Sequence, residues 1–300
     1  MKKLRCDILQ IMKIFTRSEI AHIFLGVFLF TLPFILPRFS IAFDVNTILT
    51  VVSILFTILV GSFIASATNN YFVMQNLIAS SNACLISFYG FAQIIAPSRA
   101  AAISESIDRY MIATLDYDLL YFAGATQNEL DAIISLVDKI TPDPGCSEAL
   151  MQSIHGVKTE LLHTQQGMMT ASKIVVGPRH WFILIALAIL IGILTLTFRE
   201  GHLLSTVIVA VLMTALYQVL KLLHEIDTNL FLAQRLAFQN PQPVFTAIGR
   251  LPYFPQYAID RKNVATLPTT YRVGKHNSGS NKITIYVVGE KHKQRKSREA

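Results

Sequence analysis

Apolar residues run almost unbroken through four stretches of the chain, and each predicts a helix. Residues 180–198, HWFILIALAILIGILTLTF, are bracketed by Arg179 and Arg199. Residues 203–220, LLSTVIVAVLMTALYQVL, follow the short turn REGH and close on Lys221. Upstream, residues 20–36 (IAHIFLGVFLFTLPFIL) contain Pro33 and stop at Pro37 and Arg38, and a further apolar run, 48–67, follows SIAFDVN. Each approaches the roughly 20 apolar residues that cross a bilayer. The turn between the last two is so short that they form an antiparallel hairpin. A basic stretch precedes the first run, as in a signal peptide. Its apolar core is long, however, and no A-x-A-like site separates it from the next run, so it reads as a retained span.

The second run does not stop where a span should. No Asp, Glu, Lys, Arg or His occurs from Val45 to Ser98. Small or polar residues recur at Ser53, Thr57, Gly61, Ala65, Thr68, Asn76, Ala79, Ala83, Ser87 and Gly90, with Phe72 filling the one missing place. The steps are three or four residues, the helical period. The pattern predicts one helix that crosses the membrane and continues beyond it, with a stripe extending roughly 55 Å at 1.5 Å per residue. A fifth span over 77–96 is rejected. Ser80, Ser81, Asn82, Ser87 and Gln93 interrupt it, and it would place the thirteen Lys and Arg from Lys221 onward outside, against the positive-inside rule. Two readings of the stripe stay open. Small residues let helices approach closely in lipid, which makes a packing seam. They also leave room for water or an ion, which makes a pore face. Asn69 and Asn70 sit where the helix leaves the bilayer, lining a mouth or capping that level.

The rest of the chain reads as helical with an irregular end. Residues 104–122 predict a helix with Ser104 at its start, and 128–140 another with Asn128 as its cap. TPDPG breaks the chain at 141–145, and 147–176 is a long helical pattern, with Pro178 marking the join. From Lys221 the pattern begins helical and turns irregular at Pro241, Pro243, Pro252 and Pro255. Aromatics there, Phe231, Phe238, Phe245, Tyr253 and Phe254, are expected to pack on the helical middle. HNSGSN is a linker. KITIYVV (282–288) has β-propensity but lacks an evident partner strand. The expected organisation is a basic cytosolic N-terminus (1–19), two spans (20–67), a cytosolic helical domain (68–178), a transmembrane hairpin (179–223), a cytosolic C-terminal segment (224–275) and a flexible basic tail with room for a short strand (276–300). The fold class is an all-α membrane protein with four transmembrane helices and a helical cytosolic domain between spans 2 and 3.

Composition agrees with that reading and charge orients it. The chain is 52% hydrophobic and 15% charged, with mean hydropathy +0.47, too apolar for an ordinary soluble chain. With four spans, the two outer loops hold only Arg38 and Arg199 of the 26 Lys and Arg. Both termini are therefore expected in the cytoplasm, at a cell inner membrane. The net charge of +7 suits anionic lipid at the basic termini, including the tail KHKQRKSR. No nucleic-acid motif accompanies it. Cys6, Cys84 and Cys146 are expected on the reducing side, without disulfides.

Catalytic chemistry is not legible. The eight histidines show no metal spacing, and no H-E-x-x-H, Walker loop, G-x-G-x-x-G or G-x-S-x-G occurs. Glu225 and Asp227, two apart on a helix, point away from one another, which disfavours an acid/base dyad. They end a membrane helix, pair with a basic residue such as Arg235, or set charge at a cytosolic vestibule. His22 and His180 lie at span ends, so the spans hold no proton relay. Neither an enzyme nor a cofactor or metal is expected.

The four-span order, the run GSFIASATNNYFVMQNLIASSNACLISFYGF leaving the second span, the helical middle and the acidic run LLHEIDTNLF after the fourth span resemble bacterial bestrophin-like membrane proteins, over roughly residues 20–254. Bestrophins are pentameric anion channels whose second helix lines the pore. The resemblance implies a pore-facing role for Ser53, Thr57, Gly61 and Thr68. Asn69 is a further candidate for the pore lining, and Asn70, Glu225 and Asp227 are candidates for its cytosolic mouth. Two departures accompany it. The dense acidic calcium clasp of bestrophins is reduced here to Glu225 and Asp227, and their neck of bulky apolar residues is replaced by small ones. The expected function is passive conduction of ions, anions foremost, by a homo-oligomer in the lipid bilayer. The alternative is a non-conducting oligomeric scaffold or interaction protein.

Overall fold

The computed structural model describes residues 17–37, 44–116, 122–140, 148–173, 175–197, 199, 202–228, 238–260, 264, 266–276 and 283–289. The TPDPG break, Phe231, Arg235, most of the HNSGSN linker and the basic tail lie outside them. The chain divides into two compact units, one of residues 1–69 and 174–228 and the other of 70–173 and 229–300.

The first unit holds α1 (Arg17–Ile35), the opening part of α2 (Val45–Ile95), α7 (Pro178–Leu196) and α8 (Leu203–Asp227). Of these α2, α7 and α8 are long and apolar enough to cross a membrane, and Ala21–Ile35 is a shorter apolar helix. The expectation of four spans is therefore met in length and composition by three. Phe56, Val60 and Ala67 of α2 share a core with Leu184, Ala188 and Ile191 of α7 and Leu223 of α8. Large apolar side chains elsewhere point outward, Phe182 at 75% exposure among them. A surface that apolar needs lipid rather than water against it, so this is a membrane protein. Two polar ties join α1 to the hairpin. His22 Nδ1 and the Tyr217 hydroxyl lie 2.6 Å apart. Arg199, only 9% exposed, donates to the carbonyls of Pro33, Leu36 and Pro37. The last carbonyls of a helix lack intrahelical partners, and the guanidinium supplies donors in their place.

The second unit continues α2 and adds α3 (Pro97–Asp116), α4 (Phe122–Ala125), α5 (Gln127–Asp138), α6 (Glu148–Ala171), α9 (Gln242–Ala247) and α10 (Gln256–Asp260). Its strands are β1 (Tyr253–Pro255), β2 (Tyr271–His276) and β3 (Ile283–Val288). Pro97 explains the break after α2, since the residue before a proline is pushed out of the α region, and proline opens a helix well. The next helix thus starts at Pro97 and not at Ser104, which is buried within it and donates to the Ile248 carbonyl. Asn128 likewise sits inside the first turn of α5, with Thr126 at the cap position.

The all-α expectation is corrected here. The strand around KITIYVV finds its partner in Tyr271–His276, antiparallel with Tyr271 opposite Val288, and β2 pairs parallel with β1. Pairing is visible only in three dimensions because YRVGKH, with Gly274 and its basic residues, lacks the β-branched and aromatic run that marks ITIYVV. Gly274 is required in β2, since a Cβ there would collide with the Tyr253 ring. The sheet is fastened to α3. Arg272 forks onto Asp108 at 2.6 and 2.8 Å and lies 5.2 Å from the Phe245 ring centre, and Tyr253 donates to the Asp116 carboxylate. The expected packing of Phe238, Phe245, Tyr253 and Phe254 on the helical middle is observed, in one core with Leu85, Phe88, Ile107 and Leu130.

Candidate functional site

The candidate site is one face of α2. Its opposite face is conventional: Phe56, Val60 and Ala67 are buried in the first unit, and Met74, Ser81, Leu85, Phe88, Ala92 and Ile95 in the second. These positions recur at helical spacing, so a single stripe is committed to the chain's own cores. The other stripe is bare. Thr57, Gly61, Ala65 and Asn69 are exposed in the first unit, with Ser53 and Thr68 half-buried. Phe72, Asn76, Ala79 and Ala83 are exposed in the second. None of these residues carries charge. An uncharged stripe that the chain leaves uncovered over so many turns is the feature of this molecule that asks for something outside the single chain.

Local chemistry distinguishes its residues. The Thr57 hydroxyl donates to the Ser53 carbonyl at 2.8 Å, one turn back on its own helix. Gly61 stands in open space, where an added Cβ would meet nothing within 4 Å. Phe72, 55% exposed, is bulky, and Ile54 and Ile58 also stand exposed on this side of the helix.

The expected mouth residues each make contacts of their own. Asn70 donates from Nδ2 to the Ala171 carbonyl at 2.7 Å, tying α2 to the last turn of α6. Glu225 is half-exposed and pairs with Lys221 at 3.4 Å. Asp227 is buried and accepts the backbone N–H groups of Val175 and Val176. The expected divergence of the two acids is thus found, with Glu225 facing its own helix and Asp227 facing the approach to α7. Among the described residues no three His, Cys, Asp or Glu side chains gather as metal ligands would. Arg199 and Tyr217 carry contacts that their sequence positions did not reveal. A lone Arg beside an apolar run, within reach of a proline-terminated helix, was the available signal for the first.

A family model described as the Bestrophin-like domain matches residues 23–227, from within α1 to the last residue of α8. No curated protein and no solved structure matches the chain.

Proposed function

We propose, from the premise that the chain belongs to the family of the Bestrophin-like domain, that it passes ions through a membrane along the bare face of α2, anions foremost, as a homo-oligomer. The observation that carries this is the exposed, uncharged stripe from Thr57 to Ala83. Copies arranged about an axis would enclose it. Hydroxyl and amide groups on such a face offer donors to an anion. The lack of fixed charge keeps binding weak enough for the ion to leave. Family membership favours a channel over an enzyme.

In this reading α1 is the fourth span, and the second unit and both termini are cytoplasmic at an inner membrane. The basic termini lie near anionic lipid. Ser53, Thr57, Gly61, Thr68 and Asn69 line the path, and Asn70, Glu225 and Asp227 belong to its cytosolic mouth. A second reading, a non-conducting oligomeric scaffold, is favoured by the exposed small residues Gly61, Ala65, Ala79 and Ala83 on the same face, which let helices approach closely.

One experiment separates the two. Gly61→Leu meets no atom of its own chain near the Cβ, so its effect reports on what lies beyond the chain. Ion flux from liposomes and the oligomer mass in detergent are measured for both proteins. A conducting path predicts flux in the wild type and loss of flux in the variant with the oligomer intact. A seam predicts no flux in either and dissociation of the variant.

A further inference from the structure

Asp227 is the last residue of α8 and is 2% exposed. Its Oδ1 accepts two backbone hydrogen bonds, from the N–H of Val175 at 2.9 Å and that of Val176 at 3.0 Å. Those residues lead through Gly177 into α7. Val176 is itself buried, in the same core as Leu184 of α7 and Leu223 of α8. A single carboxylate oxygen therefore ties the end of one helix of the hairpin to the approach of the other. The second oxygen, Oδ2, is buried and has no hydrogen-bond partner among the described residues.

The combination is unusual. A buried acceptor left unmet costs free energy, because water would have bonded it. Asp108 shows the satisfied alternative, with both oxygens taken by Arg272. Glu225 shows another, half-exposed beside Lys221. At Asp227 two bonds hold the carboxylate in, while Oδ2 finds no partner among the described residues.

We propose that Asp227 is a latch. Closed, as described, it holds the approach of α7 against the end of α8; moved into solvent, it releases both together. The inference rests on the geometry of the first unit and not on ion passage. Both donors are backbone N–H groups, so the two hydrogen bonds themselves are set by residue 227. Cooperativity follows from packing, since Val176 and Leu223 share one core.

Amide hydrogen exchange on the full chain in lipid nanodiscs tests this, comparing the wild type with Asp227→Ala and Asp227→Asn. Loss of the charge-assisted bonds raises exchange at Val175 and Val176 by about tenfold in Asp227→Ala. A latch raises it alike at His180 and Trp181, whose N–H groups bond the Gly177 carbonyl, and at Thr228, whose N–H bonds the His224 carbonyl. Asp227→Asn keeps an oxygen acceptor without the charge. It gives a smaller rise over the same amides and decides the matter alone if the alanine variant does not fold. A rise confined to Val175 and Val176 makes the carboxylate a local cap and overturns the latch, as does no rise.

Discussion

The two faces of α2 share a backbone, a length and an absence of charge, yet only one has its partners within the chain. On the buried face even a polar residue is provided for. Ser81 is 4% exposed and its hydroxyl faces the Tyr110 phenol, which also donates to Gln165. On the bare face Thr57 turns its hydroxyl back to its own helix, and Asn69 and Asn76 stand exposed. The difference teaches that lack of charge does not by itself mean burial in the chain's own core. One face is explained by this chain; the other is explained by a neighbour, lipid or an ion path.

That contrast can be broken most forcefully at Phe88, which is fully buried on the committed face. Phe88→Ala is expected to destabilise the protein by about 3–5 kcal/mol, through lost burial and the cavity left behind. A denaturant midpoint that stays put would show the face is not the core it looks to be.

Tyr110, opposite Ser81, gives a pH signature. Burial pushes its phenol up from 10.0 to about 12. The folded state therefore holds the proton that the unfolded state gives up. The contribution is fully present below pH 10 and lost as pH rises through 12, amounting to about 2–3 kcal/mol. Alkaline unfolding of Tyr110→Phe should lack that steepening between the two values.

Ala83→Leu sharpens the comparison from the other side. Ala83 is exposed, so folding stability should shift by less than about 0.5 kcal/mol, while flux or oligomer mass changes. An unaltered variant by both measures would leave the bare face without a partner at that level. A modest effect on stability is also expected for Thr57→Val. Its hydroxyl serves the Ser53 carbonyl, so stability should fall by about 1 kcal/mol or less. A changed ion selectivity would show that the hydroxyl also turns outward.

Much of the candidate site was legible early. Ser53, Thr57 and Gly61 share a face because helical spacing is a property of local backbone geometry. What spacing did not reveal was which stripe the chain's own cores would take. The small-residue stripe stood open as a packing seam or a pore face, and the chain's own cores took the bulkier stripe at Phe56, Val60, Leu85 and Phe88. Asn70, Glu225 and Asp227 looked alike as polar residues near helix ends. Their partners, Ala171, Lys221 and the Val175 and Val176 amides, set them apart.

The sequence by itself determined the long apolar helices, the extension of α2 past its apolar run and the absence of familiar catalytic motifs. Each depends on residues close together in the chain, where composition and period suffice. Tertiary structure alone decided that Tyr271–His276 is a strand, that Arg272 is fixed by Asp108, that Arg199 grips the end of α1 and that Asp227 holds the approach to α7. Those bonds join residues far apart in sequence, and a hydrogen bond depends on distance in space, which no local pattern encodes.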